Sequence, residues 1–263
     1  MKGGCMKEFF GFGGYTREPE GFLSWQHLLF VTVLMALMVY AAIFYGKRNA
    51  LKSERVKYKT LAIAALLIDG FELFKLILFC FRDHNPMSWV YNLPLFLCSI
   101  QLFTIPIAAF GKGRLKEACL DFIVIFGLAG GVLGTYGAGP GYASMPVLSF
   151  DNVVSGITHA ISGFTALYIM IVGLTSMKKK NIPFSFSILS FFALVAYIAN
   201  RLLDCNYMFL MSSDGSPYKI ADPWLKGHPV FYPLLVVGLF YIYIAVFYLV
   251  YYRILAKMDA KNK

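Results

Sequence analysis

Seven windows of about 20 mostly apolar residues recur along the chain, at 22–45, 60–81, 89–110, 118–136, 153–176, 184–203 and 230–252. Each is long enough to cross roughly 30 Å of hydrocarbon as a helix. Backbone in lipid must satisfy its own hydrogen bonds, so this pattern predicts an all-α membrane protein, a bundle of about seven transmembrane helices. A content of 59% hydrophobic and 14% charged residues excludes an ordinary soluble domain. Residues 1–21 are glycine-rich and charged and lack the apolar core of a cleavable signal. They read as an extracytoplasmic tail, 22–252 as a single transmembrane domain, and 253–263 as a basic cytoplasmic tail. The chain shows no internal repeat and no second domain.

The net charge of +10 is distributed unevenly. Lys47, Arg48, Lys52, Arg55, Lys57, Lys59, Lys112, Arg114, Lys116, Lys178, Lys179, Lys180 and four tail residues place sixteen basic side chains on one side, against six on the other. This bias predicts the N-terminus outside and the C-terminus in the cytoplasm. The basicity is thereby explained by topology and by attraction to anionic headgroups, not by nucleic acid. Trp25, Trp89 and Trp224 fall at the predicted outer boundaries, where amphipathic rings sit at headgroup level. The five cysteines show no metal-ligand spacing, and no metal or cofactor is expected. Cys5, Cys80 and Cys205 lie toward the predicted outer side, which leaves a disulfide among them open.

Polar residues inside the windows mark where function would sit, because ionisable groups in a membrane segment turn toward protein or a water-filled cavity. The third window carries Pro94, Cys98 and Gln101 in an otherwise oily run. Read as a continuous helix, it places Cys98 and Gln101 on one face with Pro94 and Ile105. The second window carries Asp69, Glu72 and Lys75 along one stripe, for which an internal ion pair is the plainer reading. The fourth contains Gly127 with Gly131 and Gly130 with Gly134, the small-xxx-small spacing that lets helices touch, and leads into the uncharged turn Gly137-Ala138-Gly139-Pro140-Gly141. The fifth sets Ser155, His159 and Ser162 on one face, which brings His159 to within a few ångströms of the depth of Cys98. His27 near the start of the first window is an interfacial residue or a substrate contact. Asn200 and Arg201 close the sixth, followed by Asn206-Tyr207-Met208. Nearly all these groups lie from the midplane outward, so one polar cavity in the outer half of the bilayer is expected.

The order of motifs resembles the YwaF family of bacterial integral membrane proteins. The resemblance runs from about residue 22 onward and is most specific at Leu93-Pro94-Leu95-Phe96-Leu97-Cys98 and Asn206-Tyr207-Met208. It is weaker at the acidic second window, the glycine-rich fourth, the histidine of the fifth and the Pro229/Tyr232 opening of the last. It implies a multi-pass protein of the bacterial cell membrane. It implies kinship with a eukaryotic acyltransferase of ether phospholipids and, more distantly, with membrane hydrolases of fatty acid esters of hydroxy fatty acids. It further implies Cys98 as nucleophile and His159 as its base. Many family members carry a histidine two residues before the cysteine, where this chain has Phe96.

The expected function is a lipid acyltransferase or acyl-ester hydrolase working through a Cys-His dyad, with membrane lipids as both substrate and solvent. By depth and chemistry, Glu72 would orient His159, Lys75 or Arg201 would hold a phosphate or oxyanion, and Gln101 or Asn200 would add a donor. His27, Asn206 and Tyr207 complete the candidate substrate contacts. The competing expectation is a non-catalytic transporter or binder of a small polar or anionic solute that uses Glu72, Lys75 and Arg201. Against it stands the absence of the internal repeat many transporters show.

Overall fold

The computed structural model describes residues 2–175, 177–214, 219–220, 222–225 and 227–261, with side chains described from 6 to 254. The chain packs as two compact units, Met1–Thr175 and Ser176–Lys263. The first contains α1 (Lys2–Phe10), α2 (Trp25–Asn49), α3 (Glu54–Arg82), α4 (Gln101–Phe110), α5 (Gly113–Tyr136), α6 (Gly139–Ser144) and α7 (Phe150–Val172). The second contains α8 (Ile182–Leu203), α9 (Asp222–Leu225) and α10 (Phe231–Lys261).

The protein is an all-α, multi-pass membrane protein. Trp25–Asn49, Gly113–Ser144, Phe150–Val172, Lys179–Leu203 and Phe231–Ile254 are each long and apolar enough to cross a membrane. The 29-residue α3 matches them in length but carries Asp69, Glu72 and Lys75. Helix ends follow local chemistry. Ser24 and Ser149 accept hydrogen bonds from the third residue beyond them, His27 and Asn152, and start α2 and α7. Gly173, at φ +69°, stops α7 in the left-handed conformation that glycine adopts without cost. The glycine-rich connector after α5 is partly helical, since α6 takes up Gly139, Pro140 and Gly141.

The third window departs from expectation. In place of one helix it has a 3-10 turn at Ser88–Asn92, irregular backbone over 93–97, a second 3-10 turn at Cys98–Ile100, and then the ten-residue α4. Pro94 is the cause: it offers no N–H, and its ring drives the preceding residue out of the helical region. Leu93 accordingly sits at φ −58°, ψ 142°. Pro94 therefore shares no helical face with Cys98, and Cys98 stands at the start of a helix instead of inside one. Irregular backbone at membrane depth is tolerated where protein or a watery cavity receives its polar groups.

Within the first unit α5 is the central element, buried without interruption from Ala118 to Gly127. It runs against α7 at backbone distance. A Cβ on Gly127 would lie 3.0 Å from Ser162 O and Ala166 Cβ, and one on Gly131 would lie 3.0 Å from His159 O. At the basic end, Asn49 Nδ2 donates to Thr60 Oγ1 and Tyr168 Oη, both at 3.1 Å, and Lys57 Nζ donates to the Val172 carbonyl at 2.9 Å. At the Trp25 end, Arg82 of α3 pairs with Asp151 of α7 at 2.7 Å, and Tyr15 donates to the same carboxylate. Phe9 and Phe10 pack on Phe150, and the Glu20 carboxylate accepts from Val147 N–H at 2.8 Å. The segment before α2 is thus clasped onto the start of α7.

In the second unit, α8 and α10 are joined by hydroxyl pairs, Ser185 with Tyr248 at 3.0 Å and Ser190 with Tyr241 at 2.5 Å. Among the described side chains Cys80, Cys98, Cys119 and Cys205 are free thiols, which leaves no disulfide between Cys80 and Cys205. The side chain of Cys5 lies outside the described residues.

Candidate functional site

Three helices and the broken third span bring the candidate residues of the first unit together. Pro94 delays the helix until Cys98, and Gly130, one turn before Gly134 on α5, faces Cys98: a Cβ there would meet Cys98 Cβ at 4.0 Å. His159 projects from the middle of α7 onto Gly134. The Cys98 thiol and the His159 imidazole lie close enough to interact, and the Ser99 hydroxyl also reaches Cys98. Both members of the pair are half-buried.

His159 Nδ1 lies 2.7 Å from the Ser155 carbonyl, with Ser155 Oγ further off at 3.5 Å. A carbonyl only accepts, so Nδ1 carries the proton and Nε2 is the basic nitrogen. Nε2 is therefore the nitrogen left to face the thiol, the arrangement in which an imidazole can remove its proton. The partner of His159 Nδ1 is thus this carbonyl and not Glu72. Both Glu72 carboxylate oxygens are instead 2.7 Å from Lys75 Nζ, in an ion pair with side chains 12% and 23% exposed. The charge on Lys75 acts on both Cys98 and His159. The second-helix stripe thus reaches the site through its lysine, with Glu72 as the lysine's partner.

Gln101, one turn after Cys98, is buried, and its Oε1 lies 3.3 Å from Thr104 Oγ1 while Nε2 has no partner among the described residues. His27 is fully buried. Its Nδ1 accepts from Leu23 N–H at 3.1 Å, and its Nε2 donates to the Thr135 carbonyl at 3.2 Å. Its ring stacks on Tyr142 at 3.9 Å, so both nitrogens serve the backbone and none is left for a substrate.

Asn200, Arg201, Asn206 and Tyr207 belong to the second unit. Asn200 is buried and holds the Tyr207 backbone from both sides, donating to its carbonyl at 3.0 Å and accepting from its N–H at 2.6 Å. Asn206 folds the following loop, accepting from Met211 and Ser212 N–H and donating to Ser212 and Asp214. Arg201 is exposed. In this unit the amide side chains organise a loop. Among the described residues no three His, Cys, Asp or Glu side chains converge on a metal-sized site.

Sequence reasoning did not reach the Ser155 carbonyl or the specific place of Gly134. The i to i+4 spacing of Ser155 and His159 carried the first signal, and a glycine one turn beyond Gly130 carried the second.

With this geometry in place, comparison with known proteins becomes informative. A family model matches residues 22–251, which contain every residue of the site and leave out the N-terminal clasp. The chain belongs to the TMEM164 family. No curated protein and no solved structure matches it. Family membership and the apolar helices agree on a membrane-embedded protein, and the shared range places the Cys98–His159 pair inside the common domain.

Proposed function

We propose that the protein is a membrane-embedded acyltransferase or acyl-ester hydrolase that works through Cys98 and His159. The single observation that carries this reading is the thiol set beside an imidazole whose Nδ1 is fixed on the Ser155 carbonyl. Three pieces of a nucleophilic site are thereby in series: nucleophile, base and orienting group. The resemblance of residues 93–98 to the YwaF family of bacterial membrane proteins, which implies kinship with a eukaryotic acyltransferase, supports the same reading.

In this reaction His159 Nε2 takes the Cys98 proton as sulfur attacks the carbonyl carbon of a lipid ester. A tetrahedral oxyanion forms and collapses, the alcohol leaves with the proton from the imidazolium, and the acyl group remains as a thioester on Cys98. A second alcohol or a water, deprotonated by Nε2, then attacks the thioester and restores the thiol. Lys75, held in place by Glu72, supplies the positive charge near the developing oxyanion. Gln101 is a further candidate donor through its unpartnered Nε2. The substrate reaches the half-buried pair laterally from the leaflet at the Trp25 end, which positive-inside bias assigns to the outer face.

Turnover of a phospholipid with a fluorescent acyl chain, in vesicles holding the full-length protein, tests this. Activity in the wild type that disappears in Cys98→Ala and His159→Ala supports the reading. Cys98→Ala retaining wild-type turnover overturns it. A solute carrier, the other reading, tolerates Cys98→Ala and loses transport when Glu72, Lys75 or Arg201 is changed; the Glu72–Lys75 pair is the observation that favours it.

A further inference from the structure

The two small-residue pairs of α5 look alike in sequence, yet their glycines face different neighbours. Gly127 and Gly131 meet the backbone and a methyl group of α7, as helix-packing glycines do. Gly134 meets a functional ring. A Cβ built on it lies 2.0 Å from His159 Cδ2 and 2.1 Å from Nε2, inside the imidazole. One turn earlier, a Cβ on Gly130 would reach only ordinary contact with Cys98, at 4.0 Å.

We propose that Gly134 is a positioning residue for the Cys98–His159 pair: its missing side chain is the seat that holds Nε2 against the sulfur. This rests on the nucleophilic reading of the pair. The ring is constrained from three directions. Nδ1 is held by the Ser155 carbonyl, Cys98 stands beside the ring, and the ring edge with Nε2 lies on the bare backbone of Gly134. A retreat of helix α7 would give up its packing on α5, because Gly131 places α5 backbone against the carbonyl of His159 itself. A methyl group at position 134 therefore leaves the imidazole one way out, a rotation about its side-chain bonds that gives up Ser155, Cys98 or both. The colliding atoms are the far end of a side chain, so the fold absorbs the change more easily than the chemistry does.

The test uses full-length protein in lipid nanodiscs and the rate of Cys98 alkylation by iodoacetamide, followed by peptide mass spectrometry across pH, with Cys80 and Cys205 as internal references. Gly134→Ala is expected to slow Cys98 labelling by about 10²-fold, the usual worth of a positioned base, and to reproduce the pH profile of His159→Ala. Gly130→Ala is expected to keep the wild-type rate and profile. Thermal melting of Gly134→Ala, His159→Ala and the double variant closes a cycle. Removing the imidazole removes what the new methyl strikes, so Gly134→Ala in the His159→Ala background is expected to leave the melting temperature unchanged. This arm decides the matter even if the single variant folds poorly. Wild-type labelling in Gly134→Ala overturns the proposal. So does an equal loss of melting temperature in both backgrounds, which makes Gly134 one more packing glycine. Absent lipid turnover in the wild type would instead sink the acyl-transfer reading, leaving labelling and melting to judge the seat.

Discussion

Adjacent residues of α5, Gly134 and Thr135, serve two different histidines. Thr135 gives its carbonyl to His27 Nε2, while Gly134 gives only space to His159. Each histidine fixes one ring nitrogen on backbone: His27 Nδ1 on Leu23 N–H, and His159 Nδ1 on the Ser155 carbonyl. They differ at the second nitrogen, which meets a carbonyl in one case and a thiol in the other. His27 is fully buried and its hydrogen-bonding capacity is spent, so it pins the start of α2 to the end of α5. His159 is half-buried and keeps a basic nitrogen toward the Cys98 thiol. In a membrane bundle, depth and residue type do not separate a structural histidine from a chemical one; the partner of the second nitrogen does.

The comparison is broken most directly by deleting each ring. His159→Ala is expected to lower lipid turnover by about 10²-fold or more while the protein keeps its melting behaviour, as loss of a general base does. Equal turnover losses in His27→Ala and His159→Ala, measured on the same vesicles, would erase the distinction. His27→Ala is expected to act on stability instead. It removes two hydrogen bonds to backbone and leaves a cavity beside Tyr142, a loss on the order of 2–4 kcal/mol. Thermal unfolding followed by far-ultraviolet dichroism reads it, and an unchanged melting temperature would contradict the pinning role.

A smaller effect is expected at Lys75. Replacing the pair together, Glu72→Gln with Lys75→Met, avoids leaving an uncompensated carboxylate in the bundle. It removes the positive charge near the dyad, and turnover is expected to fall by roughly tenfold to a hundredfold, toward the worth of one oxyanion stabiliser. Undiminished turnover would leave Lys75 a packing residue.

The smallest effect concerns the N-terminal clasp. Burial is the largest single influence on the Glu20 carboxyl and pushes it up, but the Val147 N–H, the backbone N–H of Glu20 itself and the Arg17 charge together outweigh it and hold the group below the usual carboxylate range. Glu8 is held low by Arg17 N–H and the Thr16 hydroxyl. A carboxyl depressed in the folded state stabilises above its unfolded pKa, and that contribution is lost as pH falls through the folded value. The clasp is therefore expected to stay docked at neutral pH and to loosen below the ordinary carboxylate range. Limited proteolysis between residues 8 and 20 across a pH series checks this, and cleavage that does not rise in acid would contradict it.

The apolar windows and the polar stripe facing protein were legible because hydropathy and helical spacing report what lipid demands. The break at Pro94 was not, since hydropathy averages over a residue that lacks an N–H. The depth match of Cys98 and His159 was readable at 1.5 Å per residue, whereas their side-chain contact depends on helix rotation that one sequence does not encode. Nothing in the sequence marks the Ser155 carbonyl as the partner of His159 Nδ1, because every residue carries a carbonyl. Gly134 was hidden in a packing motif, and only the ring beside it separates it from Gly127. Asn200 and Asn206 were visible as polar outliers, but their bonds to the loop at 206–214 follow from backbone geometry alone.

The most direct test of the account is intact-protein mass spectrometry of the wild type, Cys98→Ala and His159→Ala after incubation with a mixed phospholipid extract. The account predicts a hydroxylamine-sensitive acyl adduct on the wild type that is missing from Cys98→Ala and strongly reduced in His159→Ala, with its mass identifying the chain transferred. An adduct of equal abundance on Cys98→Ala, or no adduct and no lipid turnover on any of the three, would contradict it.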